Sequence, residues 1–259
     1  MPRLLLEKFR ASSCIESQLD RNFAKRSIYM RQFFAKYKLL AIVLGFLSVI
    51  IIAVIYQLLK PIPRLTVYQP TMIDTKLVDS SVQFVKKYHK IAPFALVNQN
   101  GDTITQKTYD NKIYVADFFF TTCQTICPIM TDHMIAIQNE LKDDSDVMLL
   151  SHSVIPEYDT PEVLKAYAQE KGVDDSRWNL VTGPREEIYA LARKSYLAVE
   201  DVPGEEMAMV HTENFMLIDK EKRIRGYYDG TKEADIERLL ADIEILKLEY
   251  QPKPAWWEK

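Results

Sequence analysis

The sequence predicts an α/β sandwich built on a mixed central sheet, preceded by one transmembrane helix. Three observations predict it. The run at 39–59, LLAIVLGFLSVIIIAVIYQLL, carries no charge and is long enough to cross a hydrocarbon core of ~30 Å. From about Ile91 onward, short β-branched and aromatic runs alternate with stretches of helical periodicity. The continuous apolar run 113-IYVADFFF-120 reads as a strand buried on both faces, the mark of a sheet covered on two sides.

The apolar run at 39–59 is too long for the core of a signal peptide. No small-residue cleavage pattern follows it, and residues 1–38 precede it, so it reads as a single anchor. Arg21, Lys25, Arg26, Arg31, Lys36 and Lys38 lie before the span, and only Lys60 and Arg64 just after it. The positive-inside bias puts the basic tail, 1–38, in the cytoplasm and the C-terminal domain outside it. In a bacterium that means the inner (cytoplasmic) membrane and a periplasmic domain. Residues 60–90, with Pro61, Pro63 and Pro70 and little periodicity, read as a linker. The domain then occupies 91–251, and 252–259 form a tail with Trp256 and Trp257, to which the sequence assigns no role.

Within the domain, 94-FALVN-98 and 102-DTIT-105 flank an Asn-Gly turn and predict a hairpin. After the buried strand at 113–120, Pro128 suits the first turn of a helix running to about Lys142, with Ile129, Met134, Ile137 and Leu141 inward. 147-VMLLSHSVI-155 is a second buried strand. Thr160 before Pro161 caps a helix that ends near Gly172. 178-WNLVT-182 is a short strand, and Pro184 opens a helix to about Ala198. 215-FMLID-219 and 223-RIRGYY-228 make a second hairpin, and a last amphipathic helix runs from about Glu233 to Tyr250.

The net charge of −3 gives no reason to expect a nucleic-acid partner. Three cysteines are too few for a disulfide scaffold. Cys14 falls on the cytoplasmic side, cannot pair with the others, and lacks the upstream apolar segment of a lipoprotein cysteine. Cys123 and Cys127 lie in 121-TTCQTICPIM-130, between the central strand and the helix after it, which is the thioredoxin-like position. A residue before proline is pushed out of helical conformation, so Cys127 is expected just outside the helix. Helix N-termini favour thiolate over thiol. An inert disulfide here would close so short a loop that it would constrain the unfolded chain little.

Two active readings remain. Cys-x-x-x-Cys could be a dithiol oxidoreductase, with Cys123 attacking and Cys127 resolving. The spacing is one residue longer than the thioredoxin Cys-x-x-Cys and leaves room for an ion between the sulfurs. Where thioredoxins carry a proline before the facing strand, His211 stands in 209-MVHTENF-215, and the nearest upstream proline is Pro203. Two thiolates and an imidazole would suit Cu(I), Cu(II) or Zn(II), with a position left open for transfer. His133 is expected to face solvent, His152 to be a hydrogen-bonded core residue, and His89 to be exposed. Asp117, inside an apolar strand, either tunes the sulfurs or sits at a strand end with a partner such as Lys112.

An anchor, Cys-x-x-x-Cys-Pro, and a distal His before Leu-Ile-Asp together resemble the Sco/SenC family. The segments that carry the resemblance are 94-FALVNQNG-101, 123-CQTICP-128, 153-SVIPEYDTPE-162, 182-TG-183 and 211-HTENFMLID-219. The resemblance implies a thioredoxin-like domain that holds one copper ion by residues matching Cys123, Cys127 and His211. It further implies a metallochaperone, rather than an enzyme in the ordinary sense, serving the binuclear copper site of cytochrome c oxidase subunit II or a similar cuproprotein. Its role would be copper delivery, reduction of the client's cysteines, or both, which calls for a copper donor protein and a thiol reductant. The alternative is a thiol–disulfide oxidoreductase acting on an exported client. Two positions depart from the family pattern: Ile155 replaces an acidic residue, and Val210 replaces the Asp before the distal His.

Overall fold

The computed structural model describes residues 36–59, 63–74, 78–198 and 212–251. They form two compact units that divide near residue 61. The first contains helix α1, Lys38–Leu59. Its 22 residues span about 33 Å at 1.5 Å per residue, and it is long and apolar enough to cross a membrane. Its serine hydroxyl is satisfied inside the helix, where Ser48 Oγ donates to the Gly45 carbonyl at 2.9 Å.

The second unit is a thioredoxin-like α/β domain. Its strands are β1 (Ala95–Asn98), β2 (Thr103–Thr105), β3 (Ile113–Phe119), β4 (Val147–Ser153), β5 (Trp178–Thr182), β6 (Asn214–Ile218) and β7 (Ile224–Asp229). They form one mixed sheet in the order β2-β1-β5-β4-β3-β6-β7. β3, β4 and β5 are parallel, and the antiparallel hairpins β1–β2 and β6–β7 flank them. All seven residues of β3 are buried, because core packs on both faces. On one face Tyr114, Ala116 and Phe118 meet Leu96, Leu150 and Tyr196. On the other, Ile113, Val115 and Phe119 meet Met130, Met134, Ile137 and Trp178.

The first hairpin closes on the Asn-Gly turn. Gly101 takes φ +81, which a side chain would resist, and its N–H donates to the Asn98 carbonyl at 3.0 Å. Helix α2 runs Cys127–Glu140, α3 Pro161–Lys171 and α5 Glu233–Glu249. Thr160 caps α3 by accepting from the Val163 N–H at 3.4 Å, and Gly172 ends it at φ +78.

Three sequence expectations are corrected here. Ile129 is 46 % exposed, and Met130 takes its place in the inward row with Met134, Ile137 and Leu141. A step of five residues from 129 to 134 turns by ~500° and leaves the shared face, whereas a step of four stays on it. Cys127 is the first residue of α2, not a residue before it. In the first turn, proline's missing N–H has no intrahelical partner to lose, so Pro128 sits there without breaking the helix. The helix after Pro184 is shorter than expected. Helix α4 spans only Arg185–Ala190 and passes into a wider π turn at Leu191–Ser195. That turn swings Tyr196 and Leu197 fully into the core, with Leu197 at φ +52.

Parts of 60–90 pack onto the domain. The Tyr68 N–H donates to the Ile224 carbonyl at 2.9 Å, and Val78 is fully buried. His89, expected to be exposed, is 8 % exposed. Its backbone N–H donates to Gln69 Oε1 at 3.0 Å, and its Nε2 lies 2.8 Å from the Ser195 carbonyl. A buried cluster clasps the same segment. Arg225 Nη1 meets Asp219 at 3.0 Å, and its Nη2 meets Glu249 at 2.7 Å and the Leu65 carbonyl at 2.8 Å.

Candidate functional site

The site lies at the C-terminal end of β3, where the chain leaves the sheet at Phe120 and enters α2 at Cys127. A single turn shapes the start of the loop, the Cys123 N–H donating to the Phe120 carbonyl at 3.3 Å. The two thiols differ in setting. Cys123 is partly exposed and Cys127 is 4 % exposed. Each thiol shifts the pKa of the other, in opposite directions. Burial raises the Cys123 pKa, but the Cys127 side chain and hydrogen bonds from the Thr125 and Cys127 N–H groups outweigh it. The net result is a fall to about 7. Thr125 adds its hydroxyl, 3.6 Å from the sulfur. At Cys127, burial, the Cys123 side chain and the nearby charges of Cys123 and Asp117 push the thiol up to about 12.

Asp159, which the sequence reading overlooked, fixes this loop. It is fully buried in the connection between β4 and α3. It accepts from Thr121 Oγ1 at 2.5 Å, from the Thr121 N–H at 3.2 Å and from Ser153 Oγ at 2.5 Å. The only signal available was its place in 153-SVIPEYDTPE-162, directly before the helix cap. Nothing local in those residues reveals that the carboxylate reaches across to Thr121.

Asp117 is 2 % exposed on the face of β3 turned toward α2. The strand-end reading with Lys112 fails, since Lys112 Nζ donates instead to the Ser145 carbonyl at 2.7 Å. Burial raises Asp117 to about 7 against the opposing hydrogen bond from Ser151, whose Oγ also accepts from Trp178 Nε1 at 2.9 Å. A carboxyl that holds its proton more tightly when folded than when unfolded favours the fold at low pH. That advantage fades as pH rises from about 4 to about 7 and is gone above it. Asp117→Asn, which cannot ionise, is therefore expected to gain on the parent chain by up to roughly 4 kcal/mol between these limits. Urea midpoints of both chains at the two ends of that window test this, and a pH-independent difference between them would refute the assignment.

The remaining histidines stand apart from the sulfurs. His133, expected to face solvent, is half-buried, with Nδ1 2.7 Å from the Gly230 carbonyl, which ties α2 to the end of β7. His152 is fully buried, with Nδ1 3.2 Å from the Asp117 carbonyl and its ring stacked on Phe118 at 4.8 Å. Burial lowers its pKa to about 4 and keeps it neutral. His211 lies outside the described residues, as do Cys14, Pro203, Val210, Trp256 and Trp257. The described chain resumes at Thr212 and enters β6. β6 pairs antiparallel to β3, with Ala116 opposite Met216, so its first residues lie beside the end of β3 where the cysteine loop begins. Among the described residues, no group of three His, Cys, Asp or Glu side chains could hold a metal.

The donor chemistry nevertheless suits a soft ion. One sulfur has its pKa lowered to about 7, and the second sits four residues on at the start of α2. Deprotonating Cys127 is the step that a bound cation would have to drive.

Comparison with known proteins places this arrangement. The family model described as SCO1/SenC matches residues 83–247, well over half of the chain. The chain is 32 % identical to the "SCO1 protein homolog" of Bacillus subtilis over 158 residues, 60 % of this chain and 82 % of that protein. The crystal structure of a SCO1/SenC family lipoprotein from Bacillus anthracis is similar at 35 % identity and TM-score 0.55, over 61 % of this chain and 95 % of that one. The structure of BsSco, described as having a disulfide switch and as a member of the Sco family of cytochrome c oxidase assembly proteins, is similar at 32 % identity and TM-score 0.53. It covers 61 % of this chain and 93 % of its own.

Proposed function

The chain belongs to the SCO1/SenC family, and from that premise we propose that it is a membrane-anchored copper metallochaperone. Its cargo is copper, held by Cys123, Cys127 and His211. Its client is the binuclear copper site of cytochrome c oxidase subunit II or a similar cuproprotein, as the description of BsSco as an oxidase assembly protein suggests. A copper donor protein and a thiol reductant supply it. Helix α1 spans the membrane with the N-terminus in the cytoplasm and the domain in the periplasm. The observation that carries the reading is the pair of free cysteines at the β3–α2 junction, one partly exposed and one buried, with the start of β6 alongside.

The residues divide the work. Cys123, already close to ionised at neutral pH, is the entry ligand. Cys127 gives up its proton as the ion arrives, and this couples copper affinity to pH. His211 completes a three-ligand set and leaves a position open to a client's thiol. Asp159 holds the loop so that the two sulfurs stay together.

The unequal sulfurs also favour a second reading, reduction of a client disulfide. The Cys123 thiolate attacks one client sulfur and forms a mixed disulfide, releasing the other client sulfur as a thiolate. Cys127 loses its proton and attacks Cys123. This frees the client's second sulfur and leaves a Cys123–Cys127 disulfide, which the thiol reductant must reduce.

The test is a copper titration of the full chain in detergent, reduced and anaerobic, beside His211→Ala. The chaperone reading expects one Cu(I) bound tightly against a competing chelator. It also expects a thiolate-to-Cu(II) charge-transfer band that His211→Ala abolishes. Weak binding indifferent to His211→Ala, with a measurable dithiol potential, would establish the oxidoreductase instead.

A further inference from the structure

We propose that the loop 84–90 is a membrane-docking surface that seats the domain on an anionic bilayer. Five of its seven residues are exposed: Phe84, Lys86, Lys87, Tyr88 and Lys90. Phe84 is 84 % exposed and Tyr88 88 % exposed, more than any other aromatic ring of the domain's described residues. None of the three lysines has an ion-pair partner among the described residues. The nearby acid Asp79 is engaged by Ser81 at 2.5 Å and by Lys194 at 3.8 Å.

The display is built into the fold. His89, between Tyr88 and Lys90, is fastened by Gln69 and by the Ser195 carbonyl. Just beyond, the Ile91 N–H donates to the Lys222 carbonyl at 2.9 Å. Before the loop, Val78 is fully buried and its carbonyl accepts from Gln83 Nε2 at 3.1 Å. With both ends held, Tyr88 adopts φ +66, a conformation unfavourable for a ring-bearing residue, and its ring stays in solvent. Gln69 also leads into the short turn Pro70–Met72, which brings a further exposed apolar side chain, Met72, at 56 %.

Aromatic rings flanked by lysines suit the membrane–water interface. The rings enter the headgroup layer, and the ammonium groups meet lipid phosphates. The occupant is a bilayer rather than an acidic protein because the same chain carries a span that ends at Leu59, 25 residues before Phe84. A tether of that length raises the local concentration of lipid around the loop. The proposal rests on reading α1 as a membrane span. Each lysine is expected to favour the seated over the lifted state by roughly fivefold, a benefit lost in neutral lipid.

The experiment uses the full chain carrying Phe84→Trp, reconstituted into vesicles with brominated acyl chains. One set is pure phosphatidylcholine and the other an equal mixture with phosphatidylglycerol. The emission of the parent chain, with its own three tryptophans, is subtracted. In the anionic vesicles the new tryptophan is expected to shift to the blue and lose most of its emission to bromine. In neutral vesicles, or with Lys86→Glu, Lys87→Glu and Lys90→Glu added, it should recover. Unquenched emission in both lipids, from a chain that resists alkaline carbonate extraction, would overturn the docking surface alone and leave the face to an acidic protein. Release of the chain by carbonate would overturn the span and the docking surface together.

Discussion

Alkylation of the folded chain near neutral pH is expected to label Cys123 and leave Cys127 almost untouched. With one pKa at about 7 and the other at about 12, the thiolate populations at neutral pH differ by four to five orders of magnitude. The rarer thiolate is the better nucleophile, with a Brønsted slope of about 0.45 that returns roughly two of those orders. A net preference of two to three orders remains, before burial of Cys127 adds to it. Iodoacetamide labelling followed by mass spectrometry reads this directly, with Cys14→Ser as background. The Cys123 rate should rise through a midpoint near 7. In denaturant both sulfurs should return to ordinary values near 8.5 and react alike. Equal labelling in the folded chain would refute the unequal settings of the two sulfurs, and with them the assignment of Cys123 as entry ligand or attacking thiolate. Removing either sulfur should then cost more copper affinity than the ~10–100-fold typical of a residue that merely supports a ligand.

The largest effect on stability is expected at the opposite end of the sheet. Asp219 is fully buried at the turn between β6 and β7. It accepts from the Glu221 and Arg223 N–H groups, each at 2.9 Å, from Arg223 Nε at 2.8 Å and from Arg225 Nη1 at 3.0 Å. Arg225 is 1 % exposed, with Glu249 as its remaining carboxylate. Asp219→Ala strips two turn bonds and half the charge compensation of a buried guanidinium. Breaking a buried pair from one side costs about 3–5 kcal/mol. For a domain of this size that is a fall in Tm of about 10 °C. Asp219→Asn, which keeps the acceptor for the turn, should lose less. Thermal and urea unfolding of both variants decide the point, and a loss under about 1 kcal/mol for Asp219→Ala would show the cluster to be ordinary surface electrostatics. Because Arg225 also holds the Leu65 carbonyl, the same variant should increase hydrogen exchange at residues 65–68.

Much of the fold is written in local pattern. The Asn-Gly turn, the seven-residue apolar strand β3, the Thr160–Pro161 start and the Gly172 stop depend on backbone preference and on periodicities of 2 and 3.6. A single sequence carries both. The uncharged run of α1 is legible for the same reason, since a bilayer selects on composition and length. The cysteine pair was found by spacing and by its place between strand and helix, and its family by the motif set around it.

Other features depended on distant residues meeting. Asp159 reaches Thr121 across 38 positions, and Asp117 is buried in a central strand whose two faces are both covered by core. His89 is buried because the π turn presents the Ser195 carbonyl to it, 106 residues away. The thiols share a motif and helix start, yet their pKa values part by about five. Burial and the different groups around each sulfur separate them, and neither is a property of residue type or spacing. Residue type, spacing and periodicity specify which groups can do chemistry and roughly where the chain turns. Which of those groups are charged, held or exposed is set by contacts between segments far apart in the chain.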